Sequence, residues 1–204
     1  MKILAAALLA LPLLALGQEV AAPLQEDPRA AKFRDVERGF FIGFEAGYLG
    51  LLETPTADPG KFPVAGSSGG SAGGLQVALD VGTDLGSRFS LALVAQGGNV
   101  KASPNYGGFS LYAFGLDGRW AFYGAKDRND WERFQAYVHA RGGYALTYPK
   151  GLFGTSDVVA QGGLGVDYYT RLRHFSLGLA ADYVYATKAK ASGFAIYPTV
   201  RYTF

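Results

Sequence analysis

Nine ionisable residues stand singly among small and apolar neighbours in this chain: Glu45, Asp80, Asp117, Arg119, His139, Arg141, Asp167, Asp182 and Arg201. Charges set apart in this way can pair in a closed interior, relay protons or ions, or assist acid–base chemistry. Catalysis would need a nucleophile beside a base and an acid. His174-Phe175-Ser176 is the candidate, since residues two apart share one face of a strand. A buried charge without a partner costs several kcal/mol, on the order of the loss seen when buried ion pairs are broken. The nine therefore read as an ion-paired network that fills and closes an interior, and a proton or ion path is the sharper alternative.

The elements that must position them are strands. From Gly39 onward, eight runs alternate apolar residues with small or polar ones, each close to ten residues or longer. The first sets Phe40, Ile42, Phe44 and Tyr48 against Glu45; the second sets Leu75, Val77, Leu79 and Val81 against Gln76 and Asp80. The same pattern isolates Asp117 and Arg119 in the fourth run, His139 and Arg141 in the fifth, Asp167 in the sixth and Asp182 in the seventh. The eighth, AIYPTVRYTF, ends the chain with Ile196, Val200, Tyr202 and Phe204 on one face and Arg201 on the other. The face opposite the apolar one is dominated by Gly, Ala and Ser, which suits a cramped interior.

Composition supports an all-β reading: 29 Gly, 14% aromatic residues and only 18% charged ones. There is no Cys, so disulfides, thiolate metal sites and attachment of lipid to a Cys are excluded, and two His make a multi-His zinc site an unsuitable reading. No cofactor is expected. Residues 1–17, MKILAAALLALPLLALG, read as a secretory signal peptide cut after Gly17, with an apolar run interrupted by Pro12 and too short to span as an anchor. Loss of Lys2 leaves a nearly balanced chain, which gives no basis for nucleic-acid binding. Residues 18–38 read as a polar periplasmic N-terminal segment and residues 39–204 as the folded domain.

The apolar face carries essentially no charge in any run, and aromatic residues gather towards the run ends. A soluble barrel would turn that face inward, whereas a membrane barrel turns it to lipid around a polar lumen. The fold expected is an eight-stranded antiparallel transmembrane β-barrel in the outer membrane. Its final strand resembles the C-terminal signal of bacterial outer-membrane proteins, carried here by Ile196, Val200, Tyr202 and Phe204; that resemblance implies recognition by the barrel-assembly machinery. Pro198 departs from the pattern and predicts a local gap, because proline has no amide to donate. In architecture, residues 39–204 resemble the small OmpA/OmpX-like barrels. The entry KFRDVERGFF also resembles outer-membrane gliding-motility proteins of the CglE type, which implies a place in an envelope-spanning motility complex.

The connections alternate in character. TDLGS and TRLRH are tight and GAKDRNDWE is longer and charged; the opposite set includes the long Gly/Pro/Ser-rich loop 51–71. With both termini in the periplasm, the first set faces the periplasm and loop 51–71 faces outside. His174 and Ser176 then lie at the periplasmic end, the wrong end for a lipid-modifying enzyme of the outer leaflet, and His139 reads as a satisfied interior histidine. The chain reads as a non-enzyme. Lys126, Asp127, Arg128 and Asp130 in the long turn are the candidate contacts to other envelope or motility proteins. The function expected is that of a structural or interaction component of a cell-surface machine, with gliding motility the specific form. A surface adhesin, an envelope-stabilising barrel and a lipid-modifying enzyme are the alternatives.

Overall fold

The computed structural model describes residues 38–52, 72–101, 109–128, 130–148, 156–172, 174–188 and 191–204. The signal peptide, residues 18–37 and residues 53–71 of the long loop lie outside the described residues. Eight strands follow in order: β1 (Phe40–Leu51), β2 (Ala72–Asp84), β3 (Phe89–Lys101), β4 (Phe109–Lys126), β5 (Glu132–Tyr148), β6 (Asp157–Tyr169), β7 (Phe175–Ala186) and β8 (Ala191–Thr203). Each pairs antiparallel with its neighbour in sequence, and β8 returns to β1 to close the barrel. Closure gives every strand two partners, and the ladders cover most of each strand's length.

The alternation read from the sequence sets the two faces. Outward positions such as Leu75 (73% exposed) and Leu93 (66%) are bare, while inward Glu45 (1%) and Asp117 (0%) are sealed. Phe40, Ile42, Phe44 and Tyr48 of β1 all point out. Inward glycines give the large interior side chains their space. A Cβ at Gly165 would strike the Tyr137 ring, and one at Gly178 would strike Asp167 and Thr199. A Cβ at Gly47 would run into the Ile196 carbonyl and Tyr197, so β1 and β8 approach closely there.

Pro198 has the local effect its missing amide predicts. β8 pairs without interruption with β7, including Leu179↔Pro198. Its pairing with β1 stops at Glu45↔Thr199 and resumes at Tyr48↔Ile196, leaving out the positions of Tyr197 and Pro198.

Two readings need correction. GAKDRNDWE is not one long turn: Gly124, Ala125 and Lys126 belong to β4 and Glu132 to β5, with Lys126 opposite Glu132. The connection itself is 127–131, and Asp130 takes a left-handed φ of 65° that Asp tolerates in turns. The charges are spread along a hairpin whose strands are lengthened. Nor is the inward face only small residues and single charges. At the loop end it carries Leu49, Leu51, Val100, Phe109, Leu111, Val159 and Val184 as a continuous apolar core. Small residues dominate the sequence count, but these few large ones converge in space and fill that half of the lumen.

Candidate functional site

The polar half of the lumen is built around two arginines from adjacent strands. Arg119 on β4 donates through Nε to Asp117 Oδ2 at 2.9 Å, and through Nη2 to Glu45 Oε1 and Asp80 Oδ2, each at 3.2 Å. Arg141 on β5 grips Glu45 with two hydrogen bonds, Nη1 to Oε2 at 3.0 Å and Nη2 to Oε1 at 2.8 Å. Asp80 and Asp117 lie 3.8 Å from the same Nη2. The fork of a guanidinium matches a carboxylate in this way and gains from dry surroundings. Glu45 and Asp80 come from β1 and β2, across the lumen, so the pairs brace opposite walls.

His139 continues the network. Its Nδ1 lies 3.0 Å from Asp117 Oδ1 and its Nε2 2.7 Å from Asp182 Oδ1. Imidazole can donate to both carboxylates only with a proton on each nitrogen. Asp182 also accepts the Tyr197 hydroxyl at 2.7 Å, which ties β8 into the chain. Above these groups an amide ladder crosses the barrel: Gln161 donates to Gln96 at 2.9 Å and Gln96 to Gln76 at 2.8 Å. The apolar core closes the remaining space towards the loop end.

Seven of the nine expected lumen residues therefore meet in one network: Glu45, Asp80, Asp117, Arg119, His139, Arg141 and Asp182. Arg201 is buried in the lumen but stands apart. It bonds Asp84 at the end of β2 and lies over the Phe41 ring, 3.5 Å from its centroid. Asp167 is buried in the lumen and makes no ion pair among the described residues. Both line a solvent-open mouth at the turn end, with Arg38, Arg88, Gln135 and Tyr169. Arg38 reaches over this mouth, bonding the Ser87 carbonyl and Glu132, the latter at 3.0 Å. Sequence reasoning placed Gln76 on the inward face but missed the glutamine ladder it belongs to, the bonds of Tyr197 to Asp182 and of Arg201 to Asp84, and the burial of Tyr137 beside the network. Their inward parity was the available signal, and only the closed fold shows that they converge.

The candidate catalytic pair does not assemble. Ser176 is buried on the lumen face, while the His174 ring stacks on Tyr202, 5.2 Å between centroids, with Nδ1 2.9 Å from the Thr203 carbonyl. Their parity suggested one face, but His174 precedes β7 and turns away. Among the described residues no group of three or more His, Asp or Glu side chains is arranged to hold a metal.

Ile196, Val200, Tyr202 and Phe204, which read as an assembly signal in the sequence, share the outer surface at the β7–β8–β1 seam. Phe204 packs against Phe40 at 5.7 Å and against Tyr202 at 4.9 Å, and Tyr202 packs against Phe175 at 4.9 Å. Ile196 and Val200 are exposed on the same strand. The four candidate contact residues lie on the β4–β5 hairpin. Lys126 pairs with Asp130 at 3.0 Å and Asp127 with Arg133 at 3.2 Å, whereas Arg128 is exposed.

A closed eight-stranded barrel with an apolar exterior and an ion-paired lumen has the fold of the small outer-membrane β-barrels. Neisserial surface protein A (NspA) is similar to it over 81% of this chain and 97% of its own, with a TM-score of 0.60 at 16% identity. The outer membrane protein OprG from Pseudomonas aeruginosa covers 84% of this chain and 99% of its own, with a TM-score of 0.47 at 16% identity. No protein-family model and no curated sequence matches the chain. At 16% identity the likeness to NspA shows the fold alone.

Proposed function

We propose that this chain is a sealed, non-enzymatic outer-membrane barrel that serves as a structural or interaction component of a cell-surface machine. The observation that carries the reading is the filled lumen: an ion-paired lower half beneath an apolar upper half. Such a barrel acts through what touches its wall and its ends. The wall suits lipid. From Phe40 to Tyr48 the apolar stripe of β1 runs about 27 Å along the strand, or roughly 20 Å across a bilayer at a tilt of about 40°, close to the apolar band of outer-membrane barrels. In the finer form of this proposal the machine is a gliding-motility complex and the β4–β5 hairpin is a contact within it.

The test separates the hairpin from the N-terminal segment. One strain carries Ser at Lys126, Asp127, Arg128 and Asp130; another lacks 22–32. Impaired single-cell movement, or loss of envelope partners with barrel levels intact, is the expected result. Normal movement and normal partner retention in both strains would leave a passive or adhesive barrel.

A further inference from the structure

The β4–β5 hairpin outruns the rest of the barrel. β4 has 18 residues and β5 has 17, against 12 or 13 in every other strand. On its β3 side, β4 pairs up to Trp120, opposite Phe89, and the Ala121 amide then donates to the Arg88 carbonyl at 2.7 Å. Beyond that point Tyr123, Gly124 and Ala125 pair with Ala136, Gln135 and Phe134 of β5. Among the described residues, Phe122–Ala125 has no strand on its other side. Backbone groups on that side of the stretch are left for water or a partner, and an open edge templates strand addition.

The edge is bracketed by two cations. Arg88, at its foot, is exposed and donates to the Ala121 carbonyl at 3.2 Å. Arg128, at its tip, is exposed as well. Neither makes an ion pair among the described residues, while the acids around them are engaged: Asp127 with Arg133, Asp130 with Lys126 and Glu132 with Arg38. Once those pairs are closed, the charge beside the edge is positive. A register shift between Ala121 and Tyr123 leaves Phe122 as a bulge at the point where the pairing of β4 with β3 ends. An added strand would stop there without displacing β3.

We propose that the Phe122–Ala125 edge docks a short, extended, acidic segment of another envelope protein. The segment adds as a strand through main-chain hydrogen bonds, and its carboxylates meet Arg88 and Arg128. This inference rests on the reading of the barrel as an interaction component and gives the contact its chemistry. Charge would set encounter rate and orientation, and the backbone ladder would give the mode of binding.

The experiment uses the full mature chain refolded in phosphatidylcholine nanodiscs and a fluorescein-labelled Glu-Val-Thr-Val-Glu peptide. A second peptide of equal charge carries N-methyl groups on alternate amides. Anisotropy should show binding of the first peptide, weakened about tenfold by N-methylation and about tenfold by Arg88→Ser with Arg128→Ser. Edge-directed amides within Phe122–Ala125 should gain hydrogen-exchange protection only when peptide is present. Heat-modifiable migration of the double variant should match wild type, which shows that the barrel is folded. Equal binding of the methylated peptide would reduce the site to bare charge attraction and overturn strand addition. No binding, or protection produced by phosphatidylglycerol nanodiscs without peptide, would overturn the protein partner. Failure here with impaired movement in the hairpin strain would sink only the docking mode, because the cellular assay tests the broader reading by itself.

Discussion

Arg141 holds Glu45 with both arms of its guanidinium in the buried lumen, and its loss leaves a carboxylate with fewer partners than it needs. Arg141→Ala should therefore destabilise the barrel by about 3–5 kcal/mol in urea unfolding from micelles. Replacing both partners, Glu45→Met with Arg141→Met, should recover most of that loss, because no charge is then stranded. A near-neutral single variant would mean that water reaches these groups. Glycines offer a second contrast. Gly165→Ala places a methyl against the Tyr137 ring and should cost about 1–3 kcal/mol. Gly142→Ala adds a methyl that meets nothing within 4 Å on the outer face and should be neutral or stabilising by about 0.5–1 kcal/mol. The inward charges were legible one by one because parity within a strand fixes the face. Their partners were not: the pairing of Arg119 with Glu45 spans 74 residues and depends on barrel registers that no local pattern encodes.

At the scale of elements, eight alternating runs became eight strands, and Pro198 left a gap in the one ladder where its amide would have donated. Hairpin length was harder to read. Charged residues look like turn residues whether they sit in a turn or in a strand that has left the membrane, so Lys126 and Glu132 gave no sign of their pairing. The C-terminal strand carries the prediction at this scale. Phe204 closes the seam through its amide, which donates to the Phe40 carbonyl at 2.9 Å, and its exposed ring packs on Phe40 and Tyr202. Phe204→Ala should lower barrel abundance and raise periplasmic degradation, followed by immunoblot and heat-modifiable migration. Unchanged abundance and migration would remove the assembly role from this residue.

For the whole molecule, the sequence showed an inside-out barrel because an uncharged apolar face in eight successive runs suits lipid better than water. The division of the lumen into polar and apolar halves was not legible, since it arises from strand stagger bringing Leu49, Val100, Phe109 and Val184 to one level. Orientation has its own test. An epitope inserted near Gly69 should be labelled on intact cells and one near Asp127 should not, and the reverse pattern would invert the barrel. The sealed lumen is tested most directly by single-channel recording of the refolded chain in planar bilayers. An interior filled by the Arg119–Arg141 network and the apolar core predicts no steady, resolvable current; large stable single-channel conductances would contradict a closed barrel.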